Sequence, residues 1–354
     1  MPFFDLIGHE RPTAILKASI LHDRVAHAYL FFGEDGIGKR LAALRFAQSI
    51  NCETDYGPEG PDACGACRSC HQIEARTHPD FLLIEPDQEQ APSTRSGQAN
   101  PQIKIEQIRE LEQQLVYRPL VGQRKVCLID EADRMTPGAA NALLKTLEEP
   151  PDHSLLLLIT SRPSALLPTV RSRCQGIRFV APARPQVEAA LTTKRGIPPA
   201  DARFLAMVTQ GRIGQALETD LASTRAQQDE FSALTSPKSL QSVGTLLTAA
   251  ETLYRSNRAP EALEWMAGWI RDLVLVSVGA DLDNVLNRDR LPQLDEAARG
   301  LWPDVILDLL DLLADIETIQ QAATRNLNLQ MALETILLRL RDAVKAPTNA
   351  HLPG

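Results

Sequence analysis

The segment 33–39, of sequence GEDGIGK, has the residue types and the spacing of a loop that binds phosphate groups. Gly33, Gly36 and Gly38 allow backbone N–H groups to converge on phosphate oxygens, and a helix that begins at Lys39 adds partial positive charge. Lys39 would contact the outer phosphates of a bound ATP or ADP. A glycine turn that only joins a strand to a helix is the alternative interpretation.

Arg40 comes next, where loops of this kind that hydrolyse a nucleotide carry Ser or Thr to bind Mg²⁺. Arginine has no acceptor lone pair and cannot bind a cation, so the magnesium geometry is compromised. Asp130 and Glu131 follow a predicted strand, in the position of the acids that orient the metal ion and activate water in such sites. Two solvated acids at a strand end are the alternative. We therefore predict a degenerate nucleotide site with impaired hydrolysis.

Four cysteines lie in the segment 52–70, three of them at the spacing CxxCxxC. Cys64, Cys67 and Cys70 form that run, and Cys52 precedes it across a stretch rich in Gly and Pro that can fold back. Four thiolates suit tetrahedral Zn²⁺, and a site without an open coordination position is structural rather than catalytic. An iron–sulfur cluster is the rival, weakened because no Cys-Pro follows the run. Unliganded thiols are the third interpretation.

The elements that would position these residues alternate between strands and helices up to about residue 180. Strands are predicted at 27–33, 81–85, 126–129, 155–159 and 176–180. Helices are predicted at 39–50, with Leu41, Leu44 and Ala47 facing the core, along the stripe Ile105, Ile108, Leu111 and Leu115, and at 136–150, where Thr136 is the N-cap. This alternation predicts a parallel sheet with helices on both faces.

The strand signal ends near residue 184, and the remainder of the chain is predicted to be helical. Residues 184–220 indicate short helices broken at Gly and Pro, whereas 228–345 indicate helices throughout. The polar segment 86–101 is predicted to be a loop.

Composition limits the classes of function. The chain has 354 residues and a net charge of −8, which disfavours a uniformly basic surface for independent DNA binding. The first ten residues lack the pattern of a signal peptide, and the longest dense apolar run, 155–159, is far too short to cross a bilayer. We expect a cytoplasmic protein without a membrane partner.

Several motifs together resemble the bacterial DNA polymerase III clamp-loader subunits, which are AAA+ proteins. They are HAYL at 27–30, the phosphate loop, the four-cysteine insert, ANALLKTLEEPP at 140–151 and Ser172-Arg173-Cys174. The resemblance is strong over residues 4–220 and weak at 326–334. It implies an α/β P-loop AAA+ domain with a parallel sheet at 1–182, carrying a metal-binding insert at 52–70. It also implies a helical lid at 183–222, an all-α collar at 223–345 and a disordered tail at 346–354.

Within this family the departures favour a non-motor subunit over the ATP-hydrolysing tau/gamma motor. Arg40 replaces the motor's Ser or Thr, and Gly214 stands where the motor has its second sensor arginine. Arg212 lies two residues earlier, which on a helix turns it about 200° away. Thr160 matches the first sensor position. The sequence 77–80, THPD, also resembles the non-motor type.

The resemblance further implies a ring-like complex with tau/gamma and delta subunits, acting on the beta sliding clamp and primed DNA at the nucleoid-associated replisome. Arg173 would be a finger that acts in trans on a neighbour's ATP; an ordinary surface arginine is the alternative. A catalytically active tau/gamma-like ATPase is the main competing function. A repair or recombination AAA+ protein is a further one, and so is a zinc-ribbon nucleic-acid binder, which the net charge disfavours.

Overall fold

The computed structural model describes residues 3, 6–54, 60–87, 101–209, 211–235, 239, 241–282, 285–299, 301–322 and 328–345. The chain divides into two compact units, Met1–Thr219 and Asp220–Gly354. The predicted disordered tail at 346–354 and most of the predicted loop at 86–101 lie outside the described residues. In the described part of the chain, no helix combines the length and the apolar character that crossing a membrane requires.

A five-stranded parallel sheet forms the centre of the first unit, as the alternating pattern predicts. Its strands are β1 (Ala28–Phe32), β2 (Phe81–Ile84), β3 (Lys125–Ile129), β4 (Ser154–Thr160) and β5 (Gln175–Arg178). Their order across the sheet is β2-β3-β4-β1-β5, and every pairing is parallel. Every residue of β3 and β4 is buried, because helices cover both faces of the sheet.

Helices of the first unit precede the first strand and lie between and after the strands along the chain. They are α1 (Glu10–Leu21), α2 (Lys39–Ile50), α3 (Arg68–Glu74), α4 (Ile105–Leu115), α5 (Pro137–Glu148), α6 (Pro168–Arg171), α7 (Arg184–Arg195), α8 (Pro199–Val208) and α9 (Ile213–Glu218). The Thr136 side chain accepts a hydrogen bond from the Ala139 N–H at 3.2 Å and so caps α5, as predicted. Helix α2 buries Ala43, Phe46 and Ala47, while Leu41 is only half-buried.

Asp80, just before β2, fixes the loop that leads into β3. Its carboxylate accepts hydrogen bonds from the backbone N–H groups of Leu120, Val121 and Gly122, each at 2.8 Å, and it is fully buried. Burial raises the pKa of Asp80, but these three donors and His78 outweigh it and bring the pKa below its ordinary value. The carboxylate therefore stabilises the fold at neutral pH, and this contribution is lost as the pH falls below the ordinary pKa.

Replacing Asp80 by asparagine should lower the free energy of unfolding of the first unit by about 2–3 kcal/mol, because the amide nitrogen turns a donor toward a buried N–H group. Urea unfolding followed by far-UV circular dichroism measures the loss. All three tryptophans lie in the second unit, so their fluorescence transition should move less. The exposed Asp152→Asn variant is the control, with an expected change within about 0.5 kcal/mol. Equal effects of the two substitutions would contradict the role of Asp80.

In the described residues, the second unit is built from helices around one apolar core. They are α10 (Leu221–Leu234), α11 (Val243–Arg255), α12 (Ala259–Ser277), α13 (Leu291–Ala298), α14 (Pro303–Ala322) and α15 (Leu329–Lys345). Trp265 and Trp269 stack within that core at 5.4 Å between ring centroids. The buried Asp272 accepts hydrogen bonds from the backbone N–H groups of Leu286 and Asn287, which holds the connection to α13 against α12.

Candidate functional site

Three of the predicted site segments meet at one edge of the sheet. Gly33 follows β1, Asp130 follows β3, and Thr160 is the last residue of β4. Strand β4 lies between β1 and β3. Because the carboxyl ends of parallel strands lie at the same edge, the glycine loop, the acidic pair and Thr160 converge there.

The glycine loop adopts a tight turn before α2. Gly36 and Gly38 have φ angles of 72° and 104°, which residues with a side chain rarely adopt. The His9 side chain holds the loop by a hydrogen bond, since its Nε2 lies 2.6 Å from the carbonyl oxygen of Ile37. Because a carbonyl oxygen only accepts, Nε2 donates in this contact; burial lowers the pKa of His9, while the hydrogen bond to Ile37 and the charge of Glu10 oppose that effect.

Lys39 is buried, and its ammonium group is bound by the loop itself. The Nζ atom donates to the carbonyl oxygen of Gly33 at 2.8 Å and to that of Glu34, and lies 3.8 Å from the Asp35 carboxylate. Burial lowers the pKa of Lys39, while Asp35 and Asp130 oppose that effect. To bind a nucleotide, Lys39 would exchange these contacts for phosphate oxygens.

Arg40 bridges two carboxylates that follow neighbouring strands. Its Nη1 lies 3.0 Å from Oδ2 of Asp130 and 2.6 Å from Oε1 of Glu85. The chain's own guanidinium therefore neutralises the acid that would orient a metal ion. Sequence reasoning singled out Arg40 but missed Glu85, which follows β2 and carried no motif of its own.

The two acids after β3 are both engaged by arginines. Burial raises the pKa of Asp130, and the charge of Arg40 opposes that rise. Burial also raises the pKa of Glu131, whose Oε2 lies 2.5 Å from Nε of Arg134. Glu131, which the sequence predicts to be a water-activating base, forms this ion pair while 47% of its side chain stays exposed.

Thr160 is also committed to a partner within the chain. Its hydroxyl donates to Oδ1 of Asp133 at 2.7 Å and accepts from the N–H of Arg162 at 3.0 Å. The same Asp133 receives Nε and Nη2 of Arg162 at 3.0 and 2.7 Å on its other oxygen. Asp133 and Arg162, which the motifs did not indicate, therefore belong to this site.

The segment before α9 covers the glycine loop. The N–H of Gly214 donates to the carbonyl oxygen of Gly36 at 3.0 Å. The prediction that helical spacing turns Arg212 away is wrong, because Arg212 caps α9 rather than lying within it. A Cβ placed on Gly36 would lie 3.4 Å from Cβ of Arg212, so the arginine's stem covers the loop.

Arg173 lies between α6 and β5, at the edge of the sheet where β5 begins. Its Nη2 lies 2.8 Å from Oε1 of Glu148, and its Nη1 donates to the carbonyl oxygen of Thr169 at 3.1 Å. The side chain of Arg173 is 36% exposed. A group of this charge and exposure can contact an anion supplied from outside the chain.

The four cysteines of the insert come together as one cluster. Their sulfur atoms all lie within 4.8 Å of one another, and the Cys52–Cys67, Cys64–Cys70 and Cys70–Cys52 pairs are separated by 4.0, 4.0 and 3.8 Å. Four thiolates that surround one ion tetrahedrally at 2.3 Å stand about 3.8 Å apart. The cluster can therefore hold a single metal ion.

Comparison with known proteins gives the family. The family model described as "DNA polymerase III, delta subunit" matches residues 8–183, and the model described as its C terminal matches residues 230–342. A DNA polymerase III subunit delta-prime from Pseudomonas aeruginosa is 43% identical over 149 residues, which are 42% of each chain. The delta-prime subunit of Bacillus subtilis is 30% identical over 352 residues, covering 94% of this chain and 96% of that protein.

This chain belongs to the delta-prime family of DNA polymerase III clamp-loader subunits. The Escherichia coli tau subunit is 31% identical over 356 residues, which cover 94% of this chain and 53% of that longer protein. The near-complete match to the Bacillus protein and the matches of both delta-subunit models favour delta-prime over tau.

Proposed function

We propose that the chain supports ATP-dependent loading of the beta sliding clamp onto primed DNA as a non-hydrolysing clamp-loader subunit. Membership of the delta-prime family is the observation that carries this proposal. Its partners would be tau/gamma and delta subunits, with the clamp and DNA met through the complex in the cytoplasm. Residues 183–222 would act as the lid, and the helices of 223–345 would form the collar that holds the subunits together.

Arg173 would act in trans on ATP bound to the neighbouring motor subunit. The charge that develops on a transferring phosphoryl group is stabilised by a guanidinium that a second subunit supplies. A planar fork of donors suits this role better than a lysine ammonium. The partial exposure of Arg173 supports the assignment, and so does its place before β5, because the phosphate loop follows the parallel strand β1 at the opposite edge of the sheet.

The chain's own nucleotide site would bind ATP or ADP without hydrolysing ATP. Residues Gly33, Gly36, Gly38 and Lys39 could hold the phosphates of ATP or ADP, with Asp130, Glu131 and Thr160 beside them. Arg40 already neutralises Asp130, and Arg134 pairs with Glu131. A bound nucleotide would therefore meet no prepared magnesium position, and the one acid in the place of a base, Glu131, would already be paired with Arg134 although it is 47% exposed.

The isolated chain should hydrolyse ATP at a rate indistinguishable from the background of the buffer, for these reasons. The measurement is phosphate release with Mg²⁺ present, compared with the Lys39→Ala variant, which should give the same trace. Steady turnover that Lys39→Ala abolishes would favour the competing view of an active tau/gamma-like ATPase.

Zn²⁺ is the ion that we assign to Cys52, Cys64, Cys67 and Cys70. Sulfur separations near 4 Å support a single tetrahedral ion. In an iron–sulfur cluster the thiolates are divided among several irons, which sets the sulfurs further apart. The ion would be structural, because four protein ligands leave no position for a substrate.

Reconstitution with motor and delta subunits tests the proposed function. Clamp loading onto primed DNA should require this chain, and Arg173→Ala should assemble normally yet fail to support loading. A complex that loads clamps equally well without the chain would refute the proposal.

A further inference from the structure

The backbone that carries Arg173 is held by the buried Val170 before it and the half-buried Cys174 after it. Val170 is fully buried, and Cys174 packs against the same apolar cluster beneath α5 and α6. Backbone hydrogen bonds join Arg173 N–H to the Val170 carbonyl at 3.2 Å and Cys174 N–H to the Arg171 carbonyl at 3.3 Å. The Cα position is therefore set by packing, and only the long side chain still needs to be oriented.

Two acceptors orient that side chain. Thr169 provides a backbone carbonyl to Nη1 at 3.1 Å, and Glu148, the last residue of α5, provides a carboxylate to Nη2 at 2.8 Å. A guanidinium has five N–H donors, so these contacts leave donors for an anion. The acceptors come from different elements, which fixes the plane of the group as well as its direction.

The strength of the Glu148–Arg173 ion pair decides whether Glu148 withholds the arginine from an anion or only orients its side chain. Its side chain is 52% exposed, and ion pairs this exposed shift an equilibrium by about fivefold at most. An effect of that size cannot withhold Arg173 from a polyphosphate. It is large enough to favour one rotamer of a flexible side chain over the others.

We propose that Glu148 is a positioning residue, which holds the Arg173 guanidinium in the orientation that meets a neighbouring subunit's nucleotide. This inference rests on the proposed function of Arg173. Glu148 does not touch the nucleotide; it acts through the arginine, and part of the ANALLKTLEEPP motif thereby acquires a physical role.

A double-mutant cycle in the reconstituted complex tests the proposal. Glu148→Ala should lower single-turnover ATP hydrolysis at the site that Arg173 faces by about three- to fivefold, and Glu148→Gln, which keeps an oxygen acceptor, by less than about twofold. In the Arg173→Ala background, Glu148→Ala should cause no further loss, because the group that it orients is absent. A purely structural role would lower the rate in both backgrounds.

Glu149→Ala is the matched control, because Glu149 is the adjacent exposed glutamate and should leave the rate unchanged. If Arg173→Ala lowers hydrolysis but Glu148→Ala leaves it unchanged or raises it, the positioning role is overturned while the finger stands. If Arg173→Ala itself has no effect, the finger assignment fails and the positioning role fails with it.

Discussion

Arg173→Ala is expected to slow ATP hydrolysis by about 10³-fold at the one nucleotide site that the arginine faces, the lower end of the range for arginine fingers. The loss reflects charge that develops only in the transition state, so ATP binding to the motor subunit should change little. Single-turnover hydrolysis by the reconstituted complex with clamp and primed DNA is the measurement, because its amplitude reports sites individually.

Two controls separate this effect from a folding defect. The Arg173 side chain is partly exposed and its ion pair with Glu148 is weak, so the free energy of unfolding should change by less than about 1 kcal/mol. Arg173→Lys keeps the charge but loses the planar fork, and it should give an intermediate rate. Full single-turnover amplitude from an assembled Arg173→Ala complex would remove the finger role.

Local patterns predicted the elements that carry the site. Helix α2 begins at Lys39 and ends at Ile50, as the sequence indicates, and Thr136 caps α5. Such features depend on residues only a few positions apart, so a single sequence is enough to predict them. The amphipathic pattern was less informative within α2, where many apolar residues compete for the core and Phe46 rather than Leu41 is fully buried.

Long-range pairing limited what the sequence could predict about the nucleotide site. The identity of Arg40 excludes a magnesium ligand, but its contact with Asp130 joins residues 90 positions apart. The contacts of Lys39 with loop carbonyls and of Thr160 with Asp133 are likewise matters of side-chain conformation. The sequence therefore shows that Arg40 stands in place of a Ser or Thr, but it does not predict the ion pair that Arg40 forms with Asp130.

The motif that contains Asp80 was identified in the sequence, but the structural role of Asp80 was not predicted. The segment THPD contributed to the family resemblance, yet the carboxylate organises a loop 40 to 42 residues away through backbone N–H groups. Its neighbour His78 lies 3.2 Å from the Ser69 hydroxyl on α3, beside the cysteine cluster. Helix α3 itself was not predicted, because it is short and begins within the cysteine insert.

Removing the metal ion from the cysteine cluster should destabilise the first unit strongly. Structural zinc sites contribute about 10–16 kcal/mol of binding free energy in small zinc-binding peptides, and part of that energy should be lost here. Cys70 connects the cluster to the core, since its carbonyl oxygen accepts a hydrogen bond from Gln48 Nε2 at 2.9 Å. Loss of the ion should therefore be felt in α2 and α3 as well as in the insert.

Cys70→Ser tests this expectation by metal analysis and thermal unfolding. The unmodified chain should contain one zinc ion and no iron. The variant should contain less than one zinc ion and lose several kcal/mol of stability, as should the unmodified chain after prolonged chelation.

Cys174→Ala, which removes a half-buried thiol outside the cluster, should keep the full zinc content. Because the tryptophans lie in the second unit, far-UV circular dichroism should detect the loss more strongly than fluorescence. A metal-free chain as stable as the zinc-loaded one would show that packing alone holds the insert. Visible absorbance from bound iron would show that the site holds an iron–sulfur cluster instead of zinc.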